Sequence, residues 1–364
     1  MKYFRNILFL IFALLFSTSV VAGSSKEGEP LNVGEFILHH VADAYEWHIA
    51  QIGSYDITVP LPVIVRGETS GWHVFSSNKL KHEHKYKGFY VSHEGDFSGK
   101  IVELDAAGNE IRPLDLSFTK NALALVICCT LLIVIFMTTA RSFKKKPLES
   151  KRGLVGLMEI LILDITNGII KPCIGKTYRK HAPYLLTLFF FIFLNNVLGL
   201  IPIFPGGANI TGNIAITFFL ALITFLIVNI GGSKEYWREI LWPDVPIWLK
   251  VPPIMPVIEL VGIFTKPFAL MIRLFANILA GHALVLGLTC IIFIAAESMN
   301  AIACGSMTVI SVFFSVFISF VELLVAYFQA YIFTLLSAVF IGLARVEPHH
   351  HKDNKTQDKA IEIH

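Results

Sequence analysis

Charge is what this chain has least of. Asp, Glu, Lys and Arg make up 16% of its 364 residues while 54% are hydrophobic, which excludes a water-soluble domain as the main architecture. A formal net charge of only +3 offers no global field for nucleic acid, so basic clusters carry meaning by position alone. The five cysteines show no metal or disulfide spacing: Cys128 and Cys129 are vicinal, Cys173 follows a basic stretch, and Cys290 and Cys304 stand alone in apolar runs. They read as small apolar fillers. No GxxxxGK[ST] phosphate loop occurs, so nucleotide chemistry is not expected here, and the lack of HExxH or nucleophile motifs argues against an intramembrane enzyme. No cofactor and no metal are expected.

What is present begins with a leader. Residues 1–22 carry Lys2 and Arg5, a short apolar core from Ile7 to Phe16 and a small-residue end at Val20-Val21-Ala22, the pattern of a secretory signal cut after Ala22. Residues 23–117 are then exported. They are polar and irregular, with β-like runs such as DITVPLPVIV, GFYVSH and KIVELD, and predict a small extracytoplasmic module whose fold, α+β among the options, stays open. The module carries His39, His40, His48, His73, His82, His84 and His93. The His82-x-His84 pair has a metal-like spacing, but no carboxylate or cysteine completes a ligand set, and surface histidines are the plainer reading.

Residues 118–346 form the membrane domain. Asn121 to Ala140 is apolar over about 30 Å, one hydrocarbon thickness. Arg141, Lys144, Lys145, Lys146, Lys151 and Arg152 follow directly and mark that flank as cytoplasmic, in agreement with an exported N-terminus. The next apolar stretch, GLVGLMEILILDITNGIIKP, is broken by Glu159, Asp164, Thr166, Asn167 and Lys171, and suits a helix lying along the membrane surface. Pro183 to Phe204 and Ile210 to Gly231 predict a hairpin turned by PGGAN. Trp237, Trp242 and Trp248 then suit the headgroup level, with Lys234, Arg238 and Lys250 on the cytoplasmic side. Two apolar stretches follow, Val257 to Ala296 and Gly305 to Ala344; each would be about 60 Å as a helix, so both must tilt steeply or lie partly flat. The expectation is an all-α polytopic membrane protein with five crossings, one surface helix, two long tilted C-terminal helices and a cytoplasmic tail at 347–364.

One stretch resists its surroundings. MIRLFANILAGH places Arg273 at mid-membrane, where a guanidinium costs from about 2.5 to more than 10 kcal/mol and cannot escape by losing its proton. It must face protein, water or a counter-charge, either as an ion pair between helices or as a functional group. With a turn near Asn300, Arg273 and Gln329 fall at similar depth, His282 lies roughly 14 Å and Glu322 roughly 10 Å farther outward. Asn277, one turn on, shares the face of Arg273, whereas His282 points to the opposite side. His282 and Glu322 are chemically fit either for a satisfied buried pair or for relaying protons. Glu259 lies toward the cytoplasmic end within about 40° of the arginine's face, and Lys266 reads as a snorkelling lysine.

These residues carry a resemblance. RLFANILAGH followed by ELLVAYFQAYIFTLLSAVF, together with FLNNVLGLIP and FTKPFALMIRLFAN, resembles subunit a of the F-type ATP synthase membrane sector over about Leu114 to Ala344. The resemblance implies that Arg273 is the stator arginine facing a ring of c subunits, with Asn277 and Gln329 beside it and an inlet and an outlet half-channel on either side. It implies an inlet role for His282 and Glu322, whose residue types are exchanged relative to many bacterial members, and an exit role for Glu259. Asn196 is carried over from N-x-x-D-L-x-P, in which Gly199 replaces an acidic residue. Implied partners are the c-subunit ring, subunit b or other peripheral-stalk subunits, and the lipid of a bacterial inner membrane. The exported module lies outside the resemblance. A self-contained ion-coupled secondary transporter is the alternative, although no inverted repeat is evident.

Overall fold

The computed structural model describes residues 43–345 except 53–54, 68–70, 84, 93–96, 98, 106–108, 147–148, 202–206, 209, 242–253 and 299–300. The expected signal at 1–22, His39, His40, His84, His93, Trp242, Trp248, Lys250, Asn300 and the tail at 347–364 lie outside the described residues, as do the side chains of His48, His82 and Cys304. The chain divides into two compact units: unit one takes 1–150, 190–216 and 274–330, and unit two takes 151–189, 217–273 and 331–364.

Unit one opens with strands. β1 (Glu46–Ile52) pairs with β2 (Tyr55–Pro60); β3 (Pro62–Gly67) lies between β4 (Gly71–Ser76) and β8 (Leu114–Asp115); β6 (Ile101–Leu104) lies between β5 (Phe89–Val91) and β7 (Glu110–Ile111). Every pairing is antiparallel. Helix is confined, among the described residues of the module, to the 3-10 segment Ser77–Glu83. Alternation along β3 decides its faces: Val63 and Val65 are buried while Pro62 and Arg66 are exposed. Val63, Val65, Phe75, Leu80, Phe89 and Ile101 build one core from both three-stranded sheets, closed by Tyr45. The Tyr45 hydroxyl donates to Asp115, and burial with this partner pushes its pKa well above the usual phenol range. A two-residue turn at Lys87 (φ 54) and Gly88 (φ 88) closes the Tyr86–Phe89 bridge, the positive φ pair that a tight hairpin turn needs.

The module is fastened to the first membrane helix, α1 (Lys120–Lys145). The Thr119 side chain accepts from Ala122 N at 3.3 Å, an N-cap worth about 1 kcal/mol. Two more amides of the first turn find acceptors in the module: Lys120 N donates to Ala44 O at 2.8 Å, and Asn121 N to Asp43 Oδ1 at 3.0 Å. Trp47 of β1 then packs with Ala124, Ala208 and Ile210 in a second buried cluster bordered by Val59, Leu123, Ile127 and Ile216. Cys128 is fully buried on α1, as an apolar filler would be, whereas Cys129 is exposed.

Unit two begins with α2 (Leu154–Ile165), continued by a π turn at Thr166–Ile170 and a short helical turn at Lys171–Ile174. Leu154, Leu157, Ile160 and Leu163 form an exposed apolar stripe at three-residue spacing, while Met158, Ile165, Ile169 and Ile170 are buried. Such a stripe is what a helix at a membrane surface requires. Five further α-helices follow among the described residues: α3 (Tyr178–Leu200), α4 (Ile214–Ile230), the short α5 (Lys234–Leu241), and then the long α6 (Ile254–Ser298) and α7 (Ala301–Leu343). The unit boundary falls inside α3, α4, α6 and α7. Within unit two, Gly342 of α7 packs where any Cβ would overlap the Cys173 carbonyl oxygen, so a glycine is needed there for close approach.

The number of span-length helices differs from the five that the sequence predicts. Among the described residues four helical segments are long and apolar enough to span, Lys120–Lys145, Leu154–Leu200, Val257–Leu288 and Gly305–Leu343, and Ile214–Ile230 is a shorter apolar helix. One physical reason accounts for the difference, because the expected surface helix and the span after it, joined into one helical segment interrupted by Gly175 (φ 69), still supply a single span. The expected helix from Ile210 begins instead at Ile214, because Asn213 Oδ1 accepts from Ala215 N at 3.0 Å and caps the helix there. Its 17 residues span about 25 Å.

Candidate functional site

Five of the seven residues singled out from sequence lie in unit one, on three helices. α6 and α7 meet in the antiparallel register expected for a turn near Asn300: Asn277 Nδ2 donates to Gln329 Oε1 at 2.9 Å. Gln329 is buried, whereas Asn277 keeps an exposed flank. This bond holds the Asn277 amide in one orientation and is worth about 1 kcal/mol.

Farther along the same pair, His282 Nδ1 lies 3.9 Å from Glu322 Oε1. That separation is beyond direct hydrogen-bond reach, and Glu322 Oε1 is buried with no hydrogen-bond partner among the described residues. A carboxyl oxygen accepts a hydrogen bond when ionised and can donate one when protonated. The space for it is made by Gly281, where an added Cβ would stand 2.5 Å from Glu322 Oε1. Gly199 lies near the same pair: a Cβ there would stand 3.7 Å from His282 Nε2.

Asn196 of α3 is fully enclosed. Its Nδ2 donates to Ala326 O at 3.3 Å, one turn beyond Glu322 on α7, and its Oδ1 accepts from Thr211 Oγ1 at 2.7 Å. The neighbouring Asn195 is also buried; its Nδ2 donates to Phe191 O at 2.8 Å, while its Oδ1 has no partner among the described residues. Thr211 escaped the sequence reading because it fell inside a predicted helix, and no local signal marks it.

The remaining two, Arg273 and Glu259, belong to unit two. The Arg273 side chain is exposed and has no carboxylate partner among the described residues, so the ion-pair reading of this residue finds no support there. One turn before it on the same helix, Ala269 is exposed and small. Glu259 is half-buried. The side-chain pairs of unit two are neutral and part-buried. Tyr184 and Thr224 share a hydrogen bond of 2.7 Å, and Tyr236 OH donates to Asn229 Oδ1 at 3.3 Å. Tyrosines flanking apolar runs are common, and their hydroxyl partners across helices could not be read from sequence.

The family described as ATP synthase A chain matches residues 122–342, and a second, described as Domain of unknown function (DUF8433), matches residues 36–117. The chain is 40% identical over 261 residues to "ATP synthase subunit a 2" of Chlorobaculum tepidum, covering 69% of this chain and 70% of that protein. It is 38% identical over 266 residues to "ATP synthase subunit a" of Chloroherpeton thalassium, covering 71% and 75%. It is 34% identical over 346 residues to the protein of that name from an Anaeromyxobacter species, covering 91% of this chain and 75% of the relative. The chain therefore belongs to the ATP synthase A chain family, the non-catalytic multi-pass membrane subunits that conduct protons and couple their flow to rotation of the c-ring.

Proposed function

We propose that Arg273 is the fixed cation against which a rotating ring discharges its carboxyl groups, and that His282, Glu322 and Asn196 form the inlet from the exported side. The observation that carries this reading is an arginine exposed inside a long apolar helix, with no carboxylate partner among the described residues. In hydrocarbon a ring carboxylate is stable only when protonated. A proton arriving through the Glu322 and His282 pair neutralises it, and the ring can turn that subunit into lipid. After nearly a full turn the carboxyl group nears the exit, where Glu259 is the residue placed to receive its proton toward the cytoplasm. Arg273 stabilises the ionised ring group between these two events and blocks direct passage of protons from inlet to exit.

Asn277, held by Gln329, offers a neutral polar group one turn from the arginine on the ring-facing side. Five crossings, with Ile214–Ile230 as the short one, put the exported module outside and the C-terminus inside. The ring, peripheral-stalk subunits and inner-membrane lipid are the partners in this reading. ATP-driven proton pumping by membrane vesicles carrying Arg273→Ala tests it. Pumping should fall by about 100-fold or more while the complex still assembles; unchanged pumping would remove the arginine from the mechanism.

A further inference from the structure

We infer that the exported module is a clamp on the inlet: Trp47, buried against Ala208 and Ile210, holds Thr211 on Asn196 and so fixes the geometry through which protons enter. This inference rests on the inlet reading above and assigns a role to the module of residues 36–117. Every contact in the chain of argument lies within unit one.

The clamp starts from a fixed point. Asp43 and Ala44 are bonded to the first amides of α1, and Trp47 follows three residues later in β1, with 2% of its surface exposed. It shares one buried cluster with Ala124 of α1 and with Ala208 and Ile210, which lie between α3 and α4 and are 3% and 1% exposed. Among the described residues of that loop the backbone bonds include Gly207 N to Leu198 O at 3.1 Å and the short local pairs Ile210 N to Ala208 O and Asn213 N to Ile210 O, both 3.1 Å. Apolar packing in the Trp47 cluster adds to these bonds in keeping Ile210 in place.

Thr211 is the next residue, and its hydroxyl donates to Asn196 at 2.7 Å. Asn196 in turn donates to the carbonyl of Ala326, one turn from Glu322, while Gly199, one turn along α3, faces His282. A shift of the loop thus reaches the ionisable pair through two hydrogen bonds. The titratable groups of this cluster are His282 from α6 and Glu322 from α7; α3 contributes neutral Asn195 and Asn196, and the loop contributes neutral Thr211. Trp47 touches none of the proton-carrying atoms and acts by positioning.

The test uses the assembled ATP synthase in sealed vesicles, with ATP synthesis driven by an imposed proton gradient and the rate measured against pH on each side separately. Trp47→Leu and Ile210→Ala trim the clamp from its two sides, Trp47→Phe retains an aromatic plug, Trp72→Ala alters an exposed module residue, and Glu322→Gln reports on the inlet itself. The two trimmed variants should slow synthesis about fivefold when outer-side protons are limiting and should shift the outer-side pH profile only. Trp47→Phe should restore most of the rate, and Trp72→Ala should match the unmodified protein. If both trimmed variants merely lower the amount of complex, or change inner and outer profiles alike, the module is scaffold and the clamp is overturned. If Glu322→Gln shifts the outer profile and the trimmed variants do not, the clamp alone fails. If Glu322→Gln leaves that profile untouched, the inlet reading fails instead.

Discussion

The two units place the charged groups of their long helices differently. Unit one buries an acid beside a histidine, Glu322 and His282, and leaves one carboxyl oxygen without a hydrogen-bond partner among the described residues. Unit two leaves Arg273 and Lys266 exposed, and its neutral pairs, Tyr184 with Thr224 and Tyr236 with Asn229, are part-buried. On the proposed function the difference separates two physical tasks. A group that passes protons has to be enclosed, so that its protonation state is set by the protein and not by bulk solvent, whereas a group that acts on a moving partner has to remain open to it. Paired hydroxyls and amides serve neither task directly; they satisfy polar atoms in a low-dielectric interior.

The comparison can be broken most directly at the acid. Glu322→Leu removes the buried carboxyl, and proton-driven ATP synthesis should drop by roughly 100-fold with assembly retained; a rate near that of the unmodified protein would mean that the pair is only structural. A finer cut is Gly281→Ala, whose Cβ would crowd Glu322 Oε1 at 2.5 Å. Coupled pumping should fall by about tenfold, because the carboxyl group must move to make room. Gly287→Ala is its control. Nothing lies within 4 Å of a Cβ at Gly287, so the same change one and a half turns farther along α6 should leave pumping intact and stabilise the helix by up to about 1 kcal/mol. Equal losses from the two glycine variants would show that crowding of Glu322 is not the cause. The smallest effect belongs to unit two. Tyr236→Phe deletes the donor to Asn229 and should cost about 1 kcal/mol of stability, read as a lower detergent-melting temperature, with less than about a twofold change in pumping.

Much of this was legible before any coordinates. The arginine announced itself because the cost of a guanidinium in hydrocarbon is so large that its presence demands a reason. The antiparallel register of α6 and α7 followed from two long apolar runs and one polar break, and the bond between Asn277 and Gln329 agrees with it. The start of α4 was misjudged by four residues, since apolar Ile210 looked helical while Asn213 capped the helix and Thr211 bonded elsewhere. Side-chain hydrogen bonds between distant segments leave no periodic trace in a sequence.

What the chain's own order determined is its membrane character, the placement of its long apolar helices and the identity of Arg273 as the residue to explain. These depend on local quantities, namely hydropathy over a helix length and the cost of one charge, and local quantities can be read in one dimension. Only the tertiary structure decided that Gly281 makes room for Glu322, that Gly199 faces His282, and that Trp47 reaches a loop more than 150 residues away. Those are matters of which surfaces come within a few ångströms of each other, and that is settled by packing the whole chain at once.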